Sequence, residues 1–134
     1  MFRLTAIPLL FLGIILLPAA CSTCPRMPLK LSEKDTMGTV QMHTGDTLEI
    51  VLRGNPTTGY LWEVSCVDTA ILKEVGETAF TPDRKARGSG GKLAMRFKAL
   101  AAGKTTLKLI YHRPFEKNTP PIGTFEVTVI VKEK

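Results

Sequence analysis

Arg53-Gly54-Asn55-Pro56-Thr57-Thr58-Gly59-Tyr60-Leu61-Trp62 is the stretch on which the reading of the fold turns. Before it, Leu48, Ile50 and Leu52 alternate with outward-facing neighbours; after it, Trp62 and Val64 do the same. A period of two on both sides predicts two half-buried strands joined by a loop of about five residues. That loop is stiff. Pro56 fixes its own φ and pushes Asn55 towards extended geometry. Gly59 can take the positive φ that turns the chain into the second strand. The Asn55 side chain can bond backbone two residues on. The result is a rigid tip presenting two small hydroxyl-bearing residues, Thr57 and Thr58, and no nucleophile beside a base.

Working towards the amino terminus, residues 1–20 stand outside the fold. Arg3 supplies a short positive start, Leu4 to Leu17 is almost wholly apolar, and the small residues Ala19 and Ala20 follow. This pattern is that of a secretory signal peptide. The apolar run, interrupted by Pro8, is shorter than the roughly 20 residues a membrane span needs. Leu17-Pro18-Ala19-Ala20-Cys21 resembles the lipobox of bacterial lipoproteins, departing from it in carrying Pro18 where leucine is usual. The resemblance implies a lipid on Cys21; simple cleavage is the alternative. Acyl chains would hold the protein on a membrane, each buried CH₂ contributing about 0.8 kcal/mol. The expected location is then exported, in the periplasm or cell envelope, as a membrane-anchored lipoprotein. Residues 21–36, rich in Pro, Ser and Lys, read as a tether, leaving residues 37–134 as the domain.

The chain holds three cysteines, Cys21, Cys24 and Cys66. With Cys21 lipidated, the other two can oxidise to a disulfide in an exported protein. The reading preferred here leaves them unpaired, with Cys66 a buried thiol near a strand end.

Without residues 1–20 the chain has 17 basic and 12 acidic side chains. The excess is spread, dense only at Arg84-Lys85-Ala86-Arg87, and not interleaved with aromatics, so nucleic acid is not an expected partner. Cys66 with His43 or His112 makes a poor thiol catalyst, because nothing in the sequence places a base at the sulfur. No His/Cys pair has metal-ligand spacing. No enzyme activity, metal or cofactor is therefore expected.

The 134 residues, 44% of them hydrophobic with nine prolines and eleven glycines, suit one domain with a real core. Strands are expected over Gly38–His43, Thr47–Arg53, Leu61–Ser65 and Glu74–Phe80, with a turn or short strand over Val67–Lys73. Further strands are marked by Leu93, Met95 and Phe97, by Leu107, Leu109 and Tyr111, and by Phe125, Val127, Val129 and Val131. Seven to eight short strands at this spacing predict an all-β, immunoglobulin-like sandwich. Trp62, on an early central strand, suits its core, and Tyr111 is either a core residue or a corner residue with its hydroxyl on backbone. Three loops, Gly54–Gly59, Thr81–Gly91 and Arg113–Pro121, are separated by even numbers of strands and should share one end of the sandwich.

These loops carry Asn55-Pro56-Thr57-Thr58-Gly59-Tyr60, Gly88-Ser89-Gly90-Gly91 and Arg113-Pro114-Phe115. In order and spacing, over residues 37–132, the set resembles the chagasin family of cysteine-peptidase inhibitors. The resemblance implies a monomeric, tight-binding and reversible inhibitor of papain-family cysteine peptidases. It puts the first loop in the active-site cleft with Thr57 against the catalytic cysteine, and the other two loops on the cleft walls. One departure is plain: the third loop usually carries tryptophan, and here it is Phe115. The rival reading is an immunoglobulin-like surface module for another protein or a glycan.

Overall fold

The computed structural model describes residues 26–134. Nine strands among them form two packed sheets: β1 (Leu29–Ser32), β2 (Thr39–His43), β3 (Thr47–Gly54), β4 (Leu61–Cys66), β5 (Leu72–Glu74), β6 (Ala79–Pro82), β7 (Gly91–Ala99), β8 (Gly103–His112) and β9 (Gly123–Lys132). One sheet has the order β1-β3-β7-β5 with β6 also on β7; the other is β2-β9-β8-β4. This is an immunoglobulin-like sandwich.

Alternation in the sequence becomes register. Leu48, Ile50 and Leu52 of β3 lie opposite Phe97, Met95 and Leu93 of β7. Across the sandwich, Leu107 and Leu109 of β8 face Val127 and Phe125 of β9. All are buried, and full burial of one such side chain stabilises by about 1.5–3 kcal/mol. On the outer face of the first sheet, Glu49 is flanked by Lys30 on β1 and Arg96 on β7, and Arg96 Nε donates to it at 3.2 Å.

Strands β5 and β6 both pair antiparallel with β7, one after the other. They act as one strand interrupted at residues 75–78, where Gly76 has φ of +75°. The expected single strand over Glu74–Phe80 is thus broken at its middle. Because the interruption preserves direction, an even number of crossings still separates the three loops.

The tether is shorter than expected. Leu29–Ser32 pairs parallel with β3 as an edge strand, and Glu33–Asp35 follows as a 3₁₀ turn. Only Leu31 is buried there, too little apolar pattern to mark a strand whose partner lies about twenty residues away in sequence. Trp62 is also displaced from expectation: β4 is the edge of its sheet, and the indole lies half-buried near the loop end. Cys66, ending β4, is exposed rather than buried and has no disulfide partner among the described residues. Residues 1–20, Cys21 and Cys24 lie outside the described residues.

At the pole away from the loops, Asp46 closes the β2–β3 turn. Its Oδ2 accepts the His43 N–H at 2.9 Å, and Arg26 lies 3.4 Å from Oδ1. The His43 bond holds the Asp46 carboxyl below its ordinary value against partial desolvation, and Arg26 adds to the lowering. A carboxyl held lower in the folded than in the unfolded chain stabilises above the unfolded pKa, and that stability goes as pH falls through the folded one. Asp46→Ala should therefore cost about 1 kcal/mol at neutral pH. The gap between parent and variant is full above the ordinary value of 3.8 and closes at more acid pH. Urea unfolding followed down to about pH 2 measures it; an undiminished gap there would contradict this role for the charge.

Candidate inhibitory loops

Loop 1 (residues 55–60) joins β3 to β4 and is built around Asn55. Pro56–Thr58 forms a single 3₁₀ turn, capped on one side by extended Asn55 (φ −138°, ψ 98°) and on the other by left-handed Gly59 (φ +82°). Asn55 Oδ1 accepts the Thr57 N–H at 3.1 Å and the Thr57 hydroxyl. The Asn55 carbonyl accepts the Thr58 N–H at 3.2 Å and the Thr58 hydroxyl at 2.7 Å. Both threonines are thereby tied down by their own side chains, and Pro56, Thr57 and Thr58 are exposed.

Three aromatic rings lie beneath this turn. Trp62 stacks on Tyr111 at 5.0 Å between centroids, and Tyr60 lies 5.3 Å from Tyr111 on a tilt. The Tyr111 hydroxyl accepts the Asn55 N–H at 3.0 Å, which decides the open alternative for Tyr111 in favour of the backbone bond. Trp62 Nε1 donates to the Arg53 carbonyl at 3.0 Å. Both ends of β3's last turn are therefore pinned to the second sheet.

The other two loops meet the first. Loop 2 (residues 83–90) joins β6 to β7; Asn55 Nδ2 donates to its Gly88 carbonyl at 2.9 Å, and Arg53 pairs with its Asp83. Loop 3 (residues 113–122) joins β8 to β9; Arg113 Nε donates to the Thr58 carbonyl at 3.1 Å while its guanidinium carbon stands 4.3 Å over the Tyr60 ring. Arg113 Nη1 also donates to Glu116 at 2.9 Å, and this bond above all raises its pKa. The Phe115 ring covers Gly59 so closely that a Cβ there would stand 3.0 Å from the ring edge, yet Phe115 is 71% exposed. The three loops thus form one surface, as the strand count predicts.

Within that surface the residues singled out from the sequence divide into two levels. Pro56, Thr57, Thr58, Gly88, Pro114 and Phe115 are exposed, with Ser89, Gly90 and Arg113 half-buried beside them. Asn55, Gly59 and Tyr60 are half-buried struts under the first loop, and Gly91 is fully buried in β7. A Cβ on Gly91 would lie 2.2 Å from the Thr81 carbonyl oxygen and 2.8 Å from Pro82 Cα, so glycine there lets β6 close on β7. Gly91→Ala is expected to destabilise by about 2 kcal/mol. At Gly90 the nearest atom would be 3.7 Å away, and Gly90→Ala should cost less than about 0.5 kcal/mol. Thermal unfolding of the two variants checks this; equal midpoints would remove strand closure as the reason for glycine at 91.

Sequence reading missed the aromatic platform of Tyr60, Trp62 and Tyr111, and the Arg53–Asp83 pair. The signal for the platform was present in the alternation that puts Trp62 opposite Tyr111, both facing inward at the ends of β4 and β8. His112, next to loop 3, bonds Glu63 at 2.6 Å and has no thiol beside it in the hydrogen-bond network. Among the described residues no group of His, Cys, Asp or Glu is placed to hold a metal ion.

Similarity to known proteins agrees with this geometry. The sequence model described as Chagasin family peptidase inhibitor I42 matches residues 41–129, which contain all three loops. Amoebiasin-2 of Entamoeba histolytica is 32% identical over 103 residues, spanning 76% of this chain and 84% of that protein. Chagasin of Trypanosoma cruzi is 30% identical over 96 residues, spanning 66% of this chain and 84% of its own length. The crystal structure of the cysteine protease inhibitor EhICP2 from Entamoeba histolytica superposes with a TM-score of 0.66 at 30% identity, covering 78% of this chain and 94% of that one. With its family signature spread over three loops that the sandwich gathers at one pole, the chain belongs to the chagasin family of peptidase inhibitors.

Proposed function

We propose that this protein is a tight-binding, reversible inhibitor of papain-type cysteine peptidases that fills the active-site cleft with its three loops. The observation that carries the proposal is the conformation of loop 1. A peptidase of this kind cuts a peptide lying extended across its nucleophile, whereas Pro56–Thr58 is a closed 3₁₀ turn held by Asn55 on one side and Gly59 on the other. The turn occupies a cleft without aligning a scissile carbonyl. Its conformation exists before binding, so little ordering cost is left; each side chain immobilised on binding otherwise costs about 0.5–1.5 kcal/mol. Thr57 at the apex faces the catalytic cysteine, Gly88–Gly90 lie along one wall, and Arg113, Pro114 and Phe115 lie along the other.

Titrating the purified chain into papain with a fluorogenic substrate tests this directly. The expected result is stoichiometric loss of activity, recovery on dilution, and an intact loop 1 by mass spectrometry. Full activity at micromolar inhibitor would refute the proposal, as would steady cleavage within residues 55–60.

Export and a lipid on Cys21 complete the reading, supported by the apolar leader and by Leu17-Pro18-Ala19-Ala20-Cys21. Arg26 lies beside Asp46, at the pole opposite the loops, so an anchor preceding it leaves the loops facing away from the membrane. The mass of the mature amino terminus decides between lipidated Cys21 and simple cleavage. The protein acts as a monomer, since one sandwich carries all three loops.

A further inference from the structure

The three loops are electrically lopsided, although Glu33, which accepts the Arg53 N–H at 2.7 Å, and Glu63, bonded to His112, border them. Residues 53–60, 83–92 and 113–122 contain Arg53, Arg84, Lys85, Arg87, Lys92, Arg113 and Lys117, against only Asp83 and Glu116. Both carboxylates are already taken by arginines, Asp83 by Arg53 and Glu116 by Arg113. Arg84, Lys85 and Arg87 are exposed on loop 2 and enter no ion pair among the described residues. Loop 2 is nevertheless fixed in place. Its base closes by the Asp83 N–H bond to the Gly90 carbonyl at 3.0 Å, and Gly88 is bonded to Asn55 of loop 1. Arg87 thus precedes the residue bonded to Asn55, and Arg84 and Lys85 follow the Asp83 paired with Arg53, on a loop tied to the uncharged Pro56–Thr58 turn.

We infer that loop 2 is an electrostatic docking arm, and that the peptidase this inhibitor prefers has an acidic cleft wall on the side loop 2 meets. The inference rests on the inhibitor reading above. The arrangement fits a protein cleft better than a nucleic acid or a membrane, because the loop 2 cations are tied to a neutral, rigid turn and have no aromatic or large apolar side chain among them. Exposed charges of this kind act at encounter, within about 10 Å at 0.1 M salt. They raise association rates by about 10- to 1000-fold and leave dissociation to the plug and its walls.

The test uses the full chain and its R84E/K85E/R87E variant against two papain-type peptidases, one with an acidic cleft rim and one with a basic rim. On the acidic-rimmed enzyme, the parent's association rate should fall about tenfold between about 20 and 500 mM salt. At low salt the variant should associate about 10- to 100-fold more slowly there, with dissociation changed less than about threefold. On the basic-rimmed enzyme it should be as fast as the parent or faster. Equal losses on both enzymes, or none on the acidic one, would overturn the docking arm while leaving inhibition itself standing. If the parent inhibits neither enzyme, the inhibitor reading falls and the arm with it. Binding of the parent, but not the variant, to vesicles containing phosphatidylserine, without salt-dependent association to either peptidase, would assign the cations to lipid and overturn the inference as well. Matching thermal midpoints show that the variant is folded.

Discussion

Thr57→Arg raises the inhibition constant against papain-type peptidases by about a thousandfold or more, a loss of about 4 kcal/mol in binding, and leaves the fold intact. Thr57 is exposed at the apex of the 3₁₀ turn. Its hydroxyl bonds only Asn55 Oδ1, which still receives the Thr57 backbone N–H when the side chain changes. Losing that one exposed hydroxyl bond costs about 0.5–1.5 kcal/mol, too little to unfold a domain. Binding is different. With loop 1 in the cleft as proposed, the apex reaches the floor of a narrow groove, and an arginine there brings several extra heavy atoms and a charge that must shed its water without a partner. Neither cost can be relieved by bending the loop, because Asn55 and Gly59 fix it and Tyr111 holds Asn55 from below. Thr57→Ser, which keeps the hydroxyl and reduces the bulk, should inhibit within a few-fold of the parent. Inhibition kinetics and thermal unfolding on the same preparations separate the two effects. An arginine variant that inhibits as well as its parent would place loop 1 outside the cleft.

Most of the sandwich can be read from its chain because one face of each main strand is buried. Leu48, Ile50 and Leu52, and Phe125, Val127, Val129 and Val131, repeat every second residue for that reason, and all seven are buried. The gathering of the three loops was legible for a topological reason: it depends on the parity of strand crossings, which the β5–β6 interruption leaves unchanged. What local pattern could not show depends on partners distant in sequence. β1 is a strand only because β3 offers it an edge to pair with in parallel, and it buries a single leucine in doing so. Gly91 looks like one more glycine of a flexible loop, yet its missing side chain is required by the Thr81 carbonyl ten residues earlier in the chain. Asn55 reads as a local turn residue, and it is one; its second role, holding loop 2 through Gly88, requires knowing that two residues 33 apart in the chain come within 2.9 Å.

The same dependence on neighbours governs Phe115, and Phe115→Ala should weaken inhibition by about 2 kcal/mol, roughly 30-fold. The ring is 71% exposed in the free protein, so its removal costs the fold little. It is also held ready: one edge lies on Gly59, where no side chain intervenes, and Arg113 is anchored alongside by Thr58 and Glu116. An exposed aromatic in a fixed pose is a side chain able to gain most of its burial on binding at small entropic cost. Area should set the order of a substitution series, with alanine weakest, leucine between, and phenylalanine stronger. Phe115→Trp, which restores the residue usual at this place in the family's third loop, should bind at least as tightly as the parent through its larger ring and indole N–H. The discriminating measurement is the dissociation rate, since a wall contact made after encounter slows departure, whereas the loop 2 cations act on association. If alanine and tryptophan at 115 dissociate from papain at the parent's rate, the third loop does not touch the cleft wall, and the first two loops must hold the enzyme alone.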